Sequence, residues 1–257
     1  MMHAWLAAFL ATAVGGSLAA AAEIKVLSSN GMGEVIAATR AKFEAASRHT
    51  LTAIVVEPAE VRRRVLAGEA FDVIIAPREF ADELAQQGKI VPSTAVALAR
   101  INFGFAVSAT GSRPDISTPE ALKRTLLEAK TVVISEPGAV SSEHFMEVLA
   151  KLGIAEQMKG KLVPQPSGES HAARVVQGQA DLAVKAEHQI RCTMGAAFLD
   201  YPVALQRRIA LTGTVATAAS DGAAARAYLS FITGPEASTA YSANCLRPPA
   251  PAELGRL

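Results

Sequence analysis

Small hydrogen-bonding residues recur at three places where an apolar run gives way to a helical pattern. The first is Ser28-Ser29-Asn30-Gly31, between Ile24-Lys25-Val26-Leu27 and the helical run 34–47. The second is Ser135-Glu136-Pro137-Gly138-Ala139-Val140-Ser141-Ser142, and the third is Pro166-Ser167-Gly168-Glu169-Ser170. A strand that stops among hydroxyls and turns into a helix presents free backbone N–H groups and the positive end of the helix dipole at one point. Three such points predict one polar solute, rich in acceptor oxygens, held among several helix N-termini.

Competing chemistries have weaker signatures. The histidines His49, His144, His171 and His188 stand in no His-Glu-x-x-His spacing, and no Gly-x-Ser-x-Gly is present. A metal site assembled from His144, His171, Glu187 and His188 is an alternative, since all four fall near element ends; the expectation is no metal and no cofactor. Gly31-Met32-Gly33 begins a dinucleotide fingerprint, but Ile36 stands where its third glycine belongs. Arg62, Arg63 and Arg64 lie between the apolar positions Val61 and Val65, as the solvated face of a helix does.

The elements that must position these residues alternate. Strand patterns at 24–28, 51–56 and 71–76 are each followed by a helix pattern, at 34–47, 59–67 and 79–87. That alternation predicts parallel βα units with helices on both faces of the sheet, and ligands bind outside the carboxyl ends of such strands. A long extended run at 101–108 interrupts the series, and a second one follows. It has helices at 118–129, 142–152 and 168–177, with strands at 131–135 and 181–184. Another extended run, 205–217, leads to helices at 222–232 and 235–244. The two extended runs bracket a complete βα set, so the expected division is lobe 1 at 23–103 and 211–246, lobe 2 at 104–210, and a flexible Pro-rich tail at 247–257. Two lobes joined by two crossing strands can close on a solute by a hinge.

The 257 residues suffice for two such lobes, and 25 Lys and Arg against 24 Asp and Glu exclude bulk attraction to nucleic acid or an anionic membrane. The apolar stretch 6–18 is short for a membrane span, and Ala20-Ala21-Ala22 fits a signal-cleavage site, so export to the periplasm with cleavage after Ala22 is expected. Cys192 and Cys245 form either one disulfide in that oxidising compartment or two separate buried thiols.

Read in order, these segments resemble the periplasmic type II solute-binding proteins of ABC importers, in particular the molybdate/tungstate-binding branch. The residues that carry the resemblance are Val26-Leu27-Ser28-Ser29-Asn30-Gly31, the run 64–76, Val132-Val133-Ile134-Ser135-Glu136-Pro137, the run 177–184 and the run 228–237. The resemblance implies a monomeric receptor that delivers a small anionic solute, a molybdate-like oxyanion, to a membrane permease. It carries ligand contacts onto Ser28, Ser29, Asn30 and Gly31, onto Ser141 and Ser142, and onto Glu169 and Ser170. Where the branch has a second serine loop this chain reads Glu57-Pro58-Ala59, and where it has a tyrosine it reads Lys185-Ala186-Glu187. A carboxylate facing a dianion is repulsive unless paired or turned away. With Glu57, Lys185 and Glu187 in the site, the alternative ligand is a small organic acid carrying donors as well as acceptors. A secreted enzyme or a sensor input protein on the same fold are the further alternatives.

Overall fold

The computed structural model describes residues 21–166 and 168–246. The expected signal segment, apart from its last two residues, the tail 247–257 and Ser167 lie outside the described residues. In chain order the elements begin with β1 (Glu23–Ser29), α1 (Gly33–Ser47), β2 (Thr50–Val56), α2 (Pro58–Leu66), β3 (Val73–Pro77), α3 (Arg78–Gln86) and β4 (Val96–Ser108). They continue with α4 (Pro119–Glu128), β5 (Val132–Ser135), α5 (Val140–Lys151), α6 (Ala155–Met158), β6 (Leu162–Gln165), α7 (His171–Val176), β7 (Leu182–Ala186), α8 (Glu187–Arg191) and β8 (Ala196–Asp200). The last are β9 (Arg208–Val215), α9 (Gly222–Thr233) and α10 (Pro235–Ala243).

The strands run β2-β1-β3-β9-β4-β7-β5-β6, with β8 on a further edge of β4. Strands β1, β2 and β3 are parallel, as are β5, β6 and β7, and the antiparallel pair β4 and β9 stands between the two sets. The expected two-lobed α/β fold of mostly parallel sheets joined by crossing strands is therefore the observed one. The apolar character of the run from Val96 onward makes β4 longer than the 101–108 stretch read from sequence. Its residues Val96 to Asn102 pair with β9, whereas Phe103 to Ala106 pair with β7 and Gly104 to Ser108 with β8. Strand β4 changes partners between Asn102 and Phe103, opposite the start of β9 at Arg208. Gly104 sits just past that point, where a Cβ would run into the Leu199 carbonyl of β8. Only glycine allows β4 to carry a neighbour on both edges there.

Each parallel set is pinned at its amino end by an aspartate. Asp72, buried ahead of β3, accepts from the Lys25 amide at 2.8 Å and from the Ser220 amide and hydroxyl at 2.7 Å each. Asp181 ahead of β7 accepts from the Lys130 and Thr131 amides at 2.7 and 2.9 Å. Fixing the amino ends aligns the carboxyl ends, where the candidate site lies. Helix α10 and α9 pack on α1 around Phe43, with Tyr228 edge-on at 5.1 Å and Phe231 at 5.2 Å. A half-buried β-strand at Ala196–Asp200, the short helices α6 and α8, and the 3-10 turns carry no periodic sequence signal, and they add to the expected order without altering it.

Of the two states left open for the cysteines, the bonded one is found: Cys192, just after α8, is joined to Cys245, just after α10, with Cα atoms 5.6 Å apart. A closed loop with a sequence separation of 53 residues removes a large share of unfolded-chain freedom. Cys192→Ser/Cys245→Ser should lower Tm by roughly 5–15 °C, from about 3–4 kcal/mol of lost chain constraint. A change below about 2 °C in a thermal melt would contradict this.

Candidate functional site

Parallel strands β1 and β2 end level with each other, Ser29 opposite Val56, so the residues that follow them meet. The Asn30 amide donates to the Glu57 carboxylate at 2.7 Å. Gly31 lies against Leu211 of β9, at 3.0 Å from where a Cβ would be, so the turn into α1 hugs the crossing strands. On the other side of the crossing, β5 and β7 end at Ser135 and Ala186. Between these carboxyl ends is a cavity of about 520 Å³. Its wall includes Ser29, Asn30, Gly31 and Glu57 from one set of strands, and Ser141, Lys185 and His188 from the other. Its apolar floor is Ile101, Phe103, Ile209 and Leu211 of β4 and β9.

Two features of this wall bear on its hydrogen-bond donors. Helices α1 and α5 begin on it without a side-chain cap, a state they share with α2, α3, α6, α8 and α10, whereas Thr118 and Asp221 cap α4 and α9. The Ser29 hydroxyl is fully buried on the same wall and has no hydrogen-bond partner. A buried orphan hydroxyl costs free energy on the order of 1–3 kcal/mol, which a ligand accepting its proton would recover.

Lys185 is the charge at the centre of the site. It is only 6% exposed, and its ammonium donates to Ser135 Oγ at 3.1 Å. Ser135 Oγ is also 3.2 Å from His171 Nε2 and 3.1 Å from Ser141 Oγ. His171 Nδ1 lies 2.9 Å from the Glu169 carbonyl, which can only accept, so the neutral ring carries its proton there. Nε2 then accepts from Ser135, and Ser135 accepts from both Lys185 and Ser141. Burial pushes the Lys185 ammonium down to about 8, against the opposing attraction of Glu57 and Glu34. Burial likewise raises the Glu57 carboxyl, while the Asn30 amide and Lys185 pull the other way. Burial also holds His171 and His188 at about 4, the nearby Lys185 adding to the effect on each.

The expected site residues are distributed unequally. Ser29, Asn30, Gly31, Glu57, Ser141 and Lys185 meet at the cavity. Ser28 is turned onto its own strand, donating to the Ser29 carbonyl at 2.9 Å, and Ser142 donates to the Ala139 and Glu136 carbonyls at the start of α5. Glu187 accepts from Asn102 at 2.8 Å and from Arg191 at 2.6 Å. Glu169 and Ser170 line a smaller chamber of about 260 Å³ that shares Glu34, Lys185 and His188 with the main one. Sequence reasoning missed the floor residues, whose signal was the two-residue period of Ile101 and Phe103 and of Ile209 and Leu211. It also missed Glu34, His188 as a wall residue, and the Ser135 to His171 link, which only tertiary structure creates. Among the described residues no group of three or more His, Cys, Asp or Glu is placed to hold a metal. His144 packs against Phe103 and Tyr201, away from His171.

The chain matches the bacterial extracellular solute-binding protein family over residues 24–244, and it belongs to that family. Its fold is that of the periplasmic type II receptors, including the molybdate-like branch. The substrate-binding domain of a putative molybdenum ABC transporter from Clostridium difficile superposes with TM-score 0.69 at 16% identity, over 90% of this chain and 100% of that one. The periplasmic molybdate-binding protein of Azotobacter vinelandii superposes with TM-score 0.65 at 19% identity, over 88% and 100%. A curated relative, an aconitate isomerase of a Pseudomonas species, is 24% identical over 195 residues, 74% of this chain and 72% of the relative. No described helix is long and apolar enough to cross a membrane.

The buried histidines set the acid response. His144, His171 and His188 are all held below their ordinary value, burial being the first cause in each. As pH falls from about 6.5 the unfolded chain takes up protons that the folded chain refuses until about 4, so stability is lost across that window. Glu57 and Asp200, whose carboxyls burial raises, oppose this. Tm should fall by several degrees between pH 6.5 and 4.5, and His171→Gln should flatten the slope. A Tm independent of pH over that range would refute the assignment.

Proposed function

We propose that this protein captures a small anionic solute in the cleft between its two lobes and delivers it to an ABC importer in the periplasm. The lobes in this reading are 23–103 with 211–246, and 104–210, and they rotate about the crossing at Asn102 and Arg208. The observation that carries the proposal is the Lys185 ammonium, buried on the wall of that cleft beside an unpartnered Ser29 hydroxyl and two uncapped helix N-termini. Burying an ammonium carries a desolvation cost even where a neutral hydroxyl such as Ser135 accepts from it. The protein gains affinity when an anion enters, because closure removes water and strengthens each charge-assisted hydrogen bond.

Between the two ligand classes, the cavity favours an organic acid over a tetrahedral oxyanion. A volume of about 520 Å³ is in the range of organic-ligand sites. An oxyanion with four oxygens would leave most of it to water, at about 30 Å³ per molecule. Glu57 reinforces this: an anionic carboxylate on the cavity wall repels a dianion. A second reading, an isomerase on this fold, is favoured by the curated relative together with Lys185, an amine near neutral pKa that can exchange protons within the cavity. Conversion of cis-aconitate to its trans isomer, lost in Lys185→Met, would carry that reading; binding without conversion carries the receptor.

The test is a thermal-shift and calorimetric screen of the whole protein against molybdate, sulfate and small carboxylates. A ligand at about 100 times its Kd adds about 2.7 kcal/mol, or roughly 5–10 °C at this size. Lys185→Met should raise the Tm of the free protein by several degrees, since an ammonium pushed down to about 8 costs about 3 kcal/mol at neutral pH. The same change should weaken anion binding at least about tenfold, more than 1.4 kcal/mol. Retained affinity in Lys185→Met, or no response to any anion, would overturn the proposal.

A further inference from the structure

The disulfide joins elements from the two sides of the cleft. Cys192 closes α8, which packs on β7 and β8, whereas Cys245 follows α10, which packs on α1 and α9. In the two-lobe division above, one sulfur therefore belongs to lobe 2 and the other to lobe 1. Cleft space lies directly at the bridge. Cys192, His171 and His188 line the smaller chamber from one lobe, and Glu34 and Asn244 line it from the other.

Both anchors of the bridge are held by their own backbones. The Cys192 amide donates to the His188 carbonyl at 2.9 Å, and the next residue, Thr193, donates to the Gln189 carbonyl and meets the Ser170 hydroxyl. Beyond α10 the Leu246 amide donates to the Tyr241 carbonyl at 3.0 Å and the Cys245 amide to the Ser242 carbonyl at 3.1 Å, with Leu246 buried. Those two bonds make a Schellman turn, whose left-handed position is usually glycine. Here Cys245 occupies it, at φ 52°, so the residue that ends the helix also carries the bridge. Bonded cysteines keep their Cα atoms about 4.4–6.8 Å apart, and here the separation is 5.6 Å. The two sides can part at this point by only about 1 Å unless a helix end unwinds.

Two strands paired side by side, β4 and β9, make a hinge because they bend together across one line. Among the described residues, none from β4 or β9 lines the smaller chamber, so the bridge stands away from that line. A third covalent tie off the hinge line removes much of the freedom the hinge allows. Resting on the two-lobe receptor reading, we infer that the Cys192–Cys245 bond is a strap across the cleft that limits how far the lobes open. The ligand-free receptor is thereby kept near its binding-competent closure. A larger competent fraction lowers the apparent Kd, and a narrower opening slows the departure of the ligand.

The test compares the whole oxidised protein with Cys192→Ser/Cys245→Ser and with reduced protein re-linked through both thiols by bis-thiosulfonates bearing two- or six-carbon spacers. The re-linked forms keep the loop closed, so they separate the length of the strap from the stability it contributes, even if the double variant unfolds. Small-angle scattering of the ligand-free forms should show the radius of gyration rising from about 18 Å by roughly 0.5–1 Å in the six-carbon form, with the two-carbon form between. Molybdate, sulfate and cis-aconitate are the binding probes. Any of them that binds should leave the six-carbon form faster and bind it at least about threefold more weakly than the oxidised protein. Equal radii across the forms, or equal affinities for a probe that binds, would overturn the inference while leaving an anion receptor standing. A larger radius with no probe bound by any form would support the strap and count against the receptor reading.

Discussion

The arrangement of the cleft follows from one costly placement, the ammonium of Lys185 inside the protein. Its neighbours respond to that charge. Ser135 presents lone pairs to it because His171 takes the Ser135 proton, and His171 can do so because the Glu169 carbonyl fixes its tautomer. The same burial keeps His171 and His188 neutral, so they add no charge that would repel Lys185. Glu57 stands across the cavity, close enough to favour the ammonium, and it is itself desolvated enough to hold a proton more readily than a surface carboxylate. In the proposed function, the desolvation cost of this wall is recovered when an anion arrives.

The rest of the fold holds that wall in register. Parallel strands bring the helix N-termini of α1 and α5 to their carboxyl ends, and the aspartates at the opposite ends, Asp72 and Asp181, lock neighbouring strands against sliding. Strand β4 pairs with members of both sets and changes partners between Asn102 and Phe103, which places Ile101 and Phe103 on the floor of the cavity at that changeover. The bond from Asn102 to Glu187 spans this changeover, linking the crossing strand to the start of α8. The disulfide ties the end of α8 to the chain beyond α10, so the smaller chamber is bounded by a covalent link.

Much of this was legible in the sequence, and the limits have physical causes. The order of strands and helices followed from hydrophobic period and from caps such as Thr118 before Pro119, which act locally. The junction residues Ser29, Asn30, Gly31 and Ser141 could be chosen because a strand-to-helix turn exposes amides wherever it occurs. Ser28 and Ser142 could not be separated from their neighbours, since a one-residue step along a strand or helix turns a hydroxyl from the cavity onto its own backbone. Lys185 was found by its departure from a family pattern, and its burial was not visible in the short strand Leu182–Ala186, every residue of which is buried. Glu187 was paired away from the cavity by Asn102 and Arg191, partners that only folding supplies. The smaller chamber was invisible because its walls come from three distant segments.

The most direct test of the central claim follows the Lys185 ammonium itself, by NMR of protein labelled at its lysine side chains, titrated with pH in the free and anion-saturated states. The account predicts one lysine, absent in Lys185→Met, that titrates at about 8 in the free protein. Saturation with the anion should move it back to about 10 or above, because an opposite charge in contact favours the protonated form. A Lys185 that titrates identically with and without bound anion would contradict the account.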